Sequence, residues 1–218
     1  MFRAILFITM FIYGLTNAVA NQLTLPEPIK PNARYVFYSH GYIVEGDNPK
    51  PIHKEWGVYD FPAVKAALKS EHYELIAYHR PNKTDPFLFA KKLANDVNTL
   101  ISKGVKPENI TLLGFSRGGA LSILTSNELK NEKINTIILA GCAGLIKRNK
   151  AVQVYGHVRS IYETSDQVGS CNFLIERSEH VASFKEIAIS TDLSHGAFYL
   201  PRPDWVNPVK GWIENPSY

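Results

Sequence analysis

Six short apolar runs recur along the chain, each rich in β-branched or aromatic residues. Several are continuously apolar rather than alternating, a pattern typical of strands that are covered on both faces. The pattern therefore predicts six buried strands. They cover residues 35–38, 75–78, 110–113, 136–139, 158–162 and 186–189.

Helical patterns lie between these runs, and the clearest begins at Asp85-Pro86. Aspartate is a good N-cap and proline is a good first helical residue. Gly104, which follows Lys103, supplies the stop. The apolar face that this spacing predicts consists of Phe89, Leu93, Val97, Leu100 and Ile101.

Four further helices are predicted from similar signals. The first follows residues 60–62, the second begins just after Ser116, and the third lies between Asn172 and Ser183. The fourth covers a C-terminal stretch in which Trp205, Val209, Trp212 and Ile213 repeat at helical spacing. We interpret these tryptophans as core residues rather than a ligand site. Strands that alternate with helices imply right-handed crossovers. The sequence therefore predicts one α/β domain over residues 21–218, with a mostly parallel sheet and helices on both faces.

The first twenty residues differ from the rest of the chain. A short basic start at residues 1–3 precedes a mostly apolar stretch over residues 4–15, and Ala18-Val19-Ala20 offers a small-x-small cleavage pattern. These features predict a signal peptide over residues 1–20, with an uncleaved anchor as the alternative. No later stretch is long and apolar enough to span a bilayer. We therefore expect a secreted or periplasmic protein.

Composition narrows the class of protein further. Of the 218 residues 45% are hydrophobic and 20% are charged, which is ordinary for a globular domain. The formal net charge is only +4, and the basic residues are spread along the chain, so a nucleic-acid partner has little support. The two cysteines, Cys142 and Cys171, are a natural disulfide pair in an oxidising compartment; two buried free thiols are the alternative. Either state argues against a metal site.

The segment Gly114-Phe115-Ser116-Arg117-Gly118 has the pattern G-x-S-x-G between a predicted strand and a predicted helix. A serine in such a tight turn adopts a strained backbone, and the glycines are needed because larger side chains would collide with the neighbouring strand and helix. The turn exposes the hydroxyl at the carboxyl edge of the sheet. Ser116 is therefore the candidate nucleophile, although a glycine-rich turn without chemistry would look similar.

A serine hydroxyl needs a base, and the base needs an orienting acid. Asp166 follows the predicted strand 158–162, and His195 follows the predicted strand 186–189. The order along the chain is thus nucleophile, acid, base. Because all three residues follow parallel strands, we expect them to meet at one edge of the sheet.

This combination resembles the α/β-hydrolase superfamily, from Tyr35 to Trp212, and is similar to its small, lid-poor, esterase-like bacterial members. The resemblance implies a Ser116–His195–Asp166 triad and an oxyanion hole made of two backbone N–H groups. One would belong to Arg117. The other would belong to Tyr42, in a loop that begins with a His-Gly pair. If Cys142 bonds Cys171, the bridge would brace the loop that carries the acid.

Other residues compete for these roles. His40 competes with His195 as the base, but it lies before the nucleophile and favours a structural role. His53, His72, His79, His157 and His180 have no motif context and are interpreted as surface or hydrogen-bonded side chains. Glu163 and Asp192 compete with Asp166 as the acid, but Glu163 lies at the end of its strand and Asp192 favours a turn position. The Arg117 side chain is either structural or a ligand for an acidic substrate group.

A long irregular segment, residues 43–59, follows the oxyanion loop and carries Trp56 and Tyr59. It is either a wall of the substrate pocket or an ordered surface loop. The sequence as a whole predicts a serine hydrolase that cleaves a small-molecule or lipid-like carboxylic ester without cofactor or metal. Thioesters and amides suit the same machinery. A non-catalytic extracytoplasmic binding protein on the same fold is the alternative from another class.

Overall fold

The computed structural model describes residues 24–215, so the predicted signal peptide over residues 1–20 lies outside the described residues. Six strands form one parallel sheet, in the order β4-β1-β5-β6-β7-β8. A short antiparallel hairpin, β2-β3, stands apart from it. The strands are β1 Tyr35–Ser39, β2 Ile52–His53, β3 Gly57–Val58, β4 Glu74–Ile76, β5 Ile110–Phe115, β6 Asn135–Leu139, β7 Gly156–Glu163 and β8 Val181–Ile189. All six predicted main strands are present.

The α-helices lie on both faces of the sheet, as predicted. Helices α1 and α6 pack on one face, whereas α2, α3, α4 and α5 pack on the other. Their bounds are α1 Phe61–Leu68, α2 Pro86–Ser102, α3 Arg117–Leu129, α4 Gly144–Arg148, α5 Asn172–Glu176 and α6 Pro203–Glu214. The tryptophans Trp205 and Trp212 of α6 are buried core residues, in agreement with their predicted role.

Local signals account for where the helices begin. Asp85 accepts hydrogen bonds from the backbone N–H groups of Phe87 and Leu88, and so caps α2 at its predicted start. Asp60 caps α1 in the same way through the N–H of Ala63. The predicted face of α2 is buried except for Ile101, which is only partly buried.

The segment between the last two strands differs from its prediction. Helix α5 ends at Glu176, and β8 begins at Val181, so the helix expected between Asn172 and Ser183 is only one turn long. The physical reason is the position of β8 at the edge of the sheet. An edge strand is half-buried and keeps polar residues in its first half, and this mixture hides its strand character in the sequence.

The topology creates a crevice at the carboxyl edge of the sheet. The chain leaves β1 for the outer strand β4 and then returns to place β5 on the other side of β1. In such open sheets ligands bind where the strand order reverses, outside the carboxyl ends. Ser39, the last residue of β1, pairs with Gly114 of β5 at this point. None of the helices in the described part of the chain is long and apolar enough to cross a membrane.

Candidate active site

Ser116 occupies the sharp turn between β5 and α3. Its backbone has φ 54° and ψ −117°, a conformation that costs a non-glycine residue about 1–3 kcal/mol. The Ser116 N–H donates to the carbonyl of Leu139 at 2.8 Å, which ties the turn to the neighbouring strand. The hydroxyl makes no capping hydrogen bond to α3, so it is available to another partner.

The glycines of G-x-S-x-G are required by close backbone packing. A Cβ atom on Gly114 would lie 2.1 Å from the carbonyl oxygen of Gly118. A Cβ atom on Gly118 would lie 1.8 Å from the carbonyl oxygen of Ser39, at the end of β1. Both distances are far shorter than any real contact. Larger side chains would therefore collide here, as the sequence predicts. The two glycines allow the start of α3 to pack against the end of β1.

The structure brings the three candidate triad residues together. The Oγ of Ser116 lies 2.7 Å from Nε2 of His195, and Nδ1 of His195 lies 2.5 Å from Oδ2 of Asp166. A carboxylate can only accept, so Nδ1 carries the proton and Nε2 accepts from the Ser116 hydroxyl. The side chain of Asp166 is 5% exposed and that of His195 is 12% exposed, so this chain of hydrogen bonds is largely shielded from water.

Glu163, a rival for the acid, has a different place. Its buried carboxylate accepts from the backbone N–H groups of Ser165, Thr191 and Asp192, and so joins the loop of Asp166 to the loop of His195. Burial raises the pKa of Glu163, but the Ser165 hydroxyl and these N–H groups, which all donate to the carboxylate, outweigh burial, and the net pKa is lowered. Glu163 braces the two loops, and within the described residues it makes no hydrogen bond to His195.

Asp192, the other rival, lies in the bend before His195 and has a positive φ of 57°. This is the turn position expected for it from the sequence.

His40, the rival base, lies behind the candidate oxyanion loop. It is fully buried; Nδ1 donates to the carbonyl of Gly41 at 2.8 Å, and Nε2 accepts from the N–H of Arg80 at 3.0 Å. Burial lowers the pKa of His40 to about 2, and the charge of Arg80 adds to this effect. A ring whose two nitrogens are both occupied cannot serve Ser116 as a base.

A buried ion pair supports this loop from behind. Arg80 is fully buried and donates from Nη2 to the carbonyl of His40 at 2.6 Å and from Nε to Glu45 at 3.3 Å. Burial lowers the pKa of Arg80 to about 10, while Glu45 opposes the shift. Because the pair is withdrawn from water, removal of either partner would leave an uncompensated charge.

These contacts fix the orientation of two peptide groups. The carbonyls of His40 and Gly41 point toward the buried network, so the trans peptide geometry turns the N–H groups of Gly41 and Tyr42 the opposite way. The Gly41 N–H donates to the hydroxyl of Tyr59 at 3.4 Å. Within residues 24–215, the N–H groups of Tyr42 and Arg117 donate to no other group. Both candidate oxyanion donors are thus unengaged.

The Arg117 side chain is held by its neighbours. Its Nη2 donates to the carbonyl of Thr84 at 3.1 Å, and its guanidinium lies 5.8 Å from the centre of the Tyr42 ring. These contacts favour the structural alternative for this side chain.

The segment 43–59 folds over the site through the β2-β3 hairpin. The ring of Trp56 lies 5.2 Å from that of His195 and stacks on His53 at 4.1 Å, between centroids. A Cβ atom on Gly196 would lie 2.7 Å from the Cβ of Trp56, so only glycine allows this approach. The hairpin is therefore a wall of the cavities around Ser116. The sequence patterns did not predict that His53 lies beside the candidate active site, because its position depends on the path of the hairpin.

Two cavities open at Ser116 and His195. The smaller, of about 280 Å³, is lined by Gly41, Tyr42, Ile43, His53, Trp56, Phe115, Ser116, His195 and Tyr199. The larger, of about 630 Å³, is lined by Glu55, Trp56, Ser116, Ser165, Asp166, Gln167, Val168, Ser194 and His195. Trp56 lines both cavities, as Ser116 and His195 do. Among the described residues, no group of histidine, cysteine and acidic side chains is arranged to hold a metal ion.

A disulfide joins Cys142, after β6, to Cys171, in the loop that carries Asp166. The N–H of Cys171 and the hydroxyl of Ser170 both donate to the carboxylate of Glu186 on β8. The loop of the candidate acid is thus tied to the sheet at its far end, as the predicted bridge implied.

Removing this disulfide is expected to destabilise the protein by about 3–4 kcal/mol. The bridge closes a loop with a sequence separation of 29, and the loss of chain entropy in the unfolded state has this size for such a loop. Urea denaturation of the Cys142→Ala/Cys171→Ala variant under oxidising conditions measures the difference. Equal unfolding free energies for variant and native protein would contradict the bridge, and full reduction of the native protein should reproduce the loss.

His40 is expected to make the protein less stable in acid. The folded state holds the ring neutral down to about pH 2, whereas the unfolded chain binds a proton below its ordinary pKa of about 6.5. The unfolded state therefore binds more protons, and the unfolding free energy falls as the pH drops from about 6.5 toward 2, by up to about 1.4 kcal/mol per unit from this group. A His40→Gln variant should show a shallower slope between pH 7 and pH 5. An unchanged slope would refute the assignment.

Three features of the site were missed by sequence reasoning. These are the Arg80–Glu45 pair, the brace at Glu163 and the contact of Trp56 with His195. The one signal that could have suggested the brace is that Glu163 ends a strand just before the candidate acid. The remaining histidines behave as expected: His79, His157 and His180 each make a hydrogen bond outside the site.

Comparisons with known proteins agree with this architecture. The model of the phospholipase/carboxylesterase family, a family of α/β-hydrolases, matches residues 73–188, more than half of the chain. The crystal structure of Arabidopsis thaliana SOBER1 has a TM-score of 0.56 and 13% identity, covering 85% of this chain and 100% of its own. The crystal structure of esterase PE8 has a TM-score of 0.54 and 15% identity, covering 88% and 96%. At such identities the likeness shows a shared fold. No curated protein sequence matches the chain.

Proposed function

The chain belongs to the phospholipase/carboxylesterase family of α/β-hydrolases, and we propose on this basis that it hydrolyses carboxylic esters through Ser116, His195 and Asp166. The family makes it a hydrolase; the residues that act and the choice of ester are the proposal. The observation that carries it is the unbroken line of hydrogen bonds from Ser116 Oγ through both ring nitrogens of His195 to Asp166.

In the first half of the reaction the oxygen of Ser116 attacks the ester carbonyl carbon. Its proton passes to Nε2 of His195, which lies 2.7 Å from Oγ. Asp166 holds the ring in the tautomer that can accept this proton, and its negative charge stabilises the imidazolium. The carbonyl oxygen becomes an oxyanion, which accepts hydrogen bonds from the backbone N–H groups of Tyr42 and Arg117.

The tetrahedral intermediate then collapses. The bond to the alcohol oxygen breaks, Nε2 of His195 gives its proton to the departing alcohol, and an acyl group remains on Ser116. A water molecule repeats the sequence on this acyl-enzyme, with His195 taking its proton. The products are one alcohol and one carboxylic acid, and Ser116 recovers its hydroxyl. No metal or cofactor takes part in any step.

We also propose that the protein works outside the cytoplasm. The apolar N-terminal segment with its small-x-small pattern supports export. The disulfide between Cys142 and Cys171 supports an oxidising compartment. Detection of the mature protein in a periplasmic or secreted fraction, beginning near Asn21, tests this part of the proposal.

Kinetics with purified mature protein test the proposed activity. We expect p-nitrophenyl acetate to be cleaved, and to be cleaved faster than matched acetyl thioester and anilide substrates. Faster cleavage of the thioester or the anilide would contradict the assignment of an ester substrate and leave the proposed roles of Ser116, His195 and Asp166 unchanged. Absence of cleavage of all three would favour a binding protein on the same fold.

A further inference from the structure

The two cavities at Ser116 differ in chemistry. Both are lined by Ser116, His195 and Trp56, and so meet at the nucleophile. An ester that is attacked at Ser116 has two substituents on its reacting group, the acyl chain and the alcohol. Two cavities that meet at the nucleophile can therefore receive one substituent each.

The smaller cavity is apolar and compact. Beyond Ser116 and His195, its walls are mainly the side chains of Tyr42, Ile43, Trp56, Phe115 and Tyr199. Its volume of about 280 Å³ is less than that of most sites for drug-sized ligands. A cavity of this size suits a short acyl group, and a sixteen-carbon fatty chain would extend beyond its walls.

The larger cavity is the more polar of the two and carries negative charge. Its walls present the hydroxyl of Ser194, the amide of Gln167 and the carboxylate of Glu55, whereas the Ser165 hydroxyl already donates to Glu163. Gln167 and Glu55 are exposed, so their polar groups are open to a ligand. Such groups donate and accept hydrogen bonds with alcohol hydroxyls.

Cations are absent from these walls. Among the described residues, no lysine or arginine lines either cavity. Arg117 and Lys147 lie nearby, but their side chains donate to the carbonyls of Thr84 and Val168, and Arg202 lines a neighbouring cavity together with Glu55. A phosphate on the alcohol side would therefore meet the Glu55 carboxylate with no lysine or arginine among the residues that line this cavity.

Resting on the proposed function, we propose that the substrates are esters of a short acyl group with a neutral polyhydroxylated alcohol, such as a sugar or glycerol. The acyl group occupies the small cavity beside the Gly41-Tyr42 loop, which places the carbonyl oxygen at the Tyr42 N–H. The alcohol lies in the large cavity, against His195, which must protonate it. Long-chain phospholipids are disfavoured on both sides.

The acyl side is tested with p-nitrophenyl esters of two to twelve carbons. While a methylene still fits the cavity, burial raises kcat/KM by up to about fourfold. We expect a maximum of kcat/KM at eight carbons or fewer, and a kcat/KM for the dodecanoate at least tenfold below that maximum. A maximum at ten or twelve carbons overturns the inference and leaves the proposed esterase activity intact. Cleavage of none of these esters overturns both.

The alcohol side is tested with three acetates that share a three-carbon skeleton: propyl acetate, glycerol 1-acetate and acetylglycerol phosphate. At low ionic strength we expect kcat/KM for glycerol acetate to exceed that for each of the other two by about tenfold. Gln167→Leu should lower the ratio of kcat/KM for glycerol acetate to that for propyl acetate. Glu55→Lys should narrow the preference over the phosphate ester by about fivefold or more, since a nearby charge is worth about 1 kcal/mol even in water.

The matched control is Glu71→Lys, which makes the same charge change at an exposed glutamate before β4, at the opposite edge of the sheet. It should leave all three ratios unchanged. Equal or better cleavage of propyl acetate or of the phosphate ester by the native protein overturns the inference. So does an equal response of the ratios to Glu55→Lys and Glu71→Lys.

Discussion

Replacement of Ser116 by alanine is expected to lower kcat for ester hydrolysis by about 10⁶-fold, to the level left by binding and the oxyanion donors alone. Among the described residues, the Ser116 hydroxyl at the strained turn is the hydrogen-bond partner of Nε2 of His195. Without it no acyl-enzyme forms, and His195 has no proton to accept. Initial rates with p-nitrophenyl acetate, measured at saturating substrate, give the loss directly.

The control for Ser116→Ala is Ser190→Ala. Ser190 is an exposed serine just after β8, at the same edge of the sheet, and its hydroxyl bonds to Thr164 rather than to His195. This variant should keep nearly full activity. A Ser116→Ala protein that folds normally and retains more than about 1% of native kcat would contradict the assignment of the nucleophile.

Replacement of Asp166 by asparagine is expected to lower kcat by about 10⁴-fold. An amide at this position is free to donate its NH₂ to Nδ1 of His195, and that hydrogen bond favours the tautomer that cannot accept the Ser116 proton. The amide also carries no charge to stabilise the imidazolium. Because the side chain is nearly isosteric, binding of substrate and KM should change far less than kcat.

Glu163→Gln is the matched comparison for Asp166→Asn, since both changes replace a buried carboxylate by its amide. Glu163 accepts hydrogen bonds from backbone N–H groups of two loops, whereas His195 bonds to Asp166 and Ser116, so we expect kcat to fall by less than tenfold. The unfolding free energy should fall by about 1–3 kcal/mol, because a strong acceptor of three N–H groups is weakened. If Glu163→Gln lost 10⁴-fold in kcat and Asp166→Asn little, the acid would be Glu163.

Much of the fold and of the site was predictable from the sequence because the signals are local. The helix cap at Asp85 depends on only a few consecutive residues. The same is true of the turn at Ser116, where two nearby glycines allow close backbone contacts. Asp166 and His195 were predictable from strand order, since consecutive parallel strands deliver the residues that follow them to one edge.

The remainder depends on contacts between segments far apart in the chain. Arg80 and Glu45 are separated by 35 positions, and neither carries a local pattern that signals a buried ion pair. Trp56 reaches His195 because a hairpin with strands of only two residues folds back over the site. The extent of β8 was underestimated because an edge strand shares its mixed polarity with a surface helix. In each case the position of the residue or the extent of the strand depends on tertiary packing, which local propensity does not determine.

The proposed mechanism requires that His195 make the hydroxyl of Ser116 nucleophilic. A fluorophosphonate reacts rapidly with such activated serines and slowly with ordinary ones, and mass spectrometry of the digested protein locates the adduct. We expect one adduct, on Ser116, that forms rapidly in the native protein and at least about 10³-fold more slowly in His195→Ala. A folded native protein that remains unlabelled, or an adduct on another residue, would contradict it.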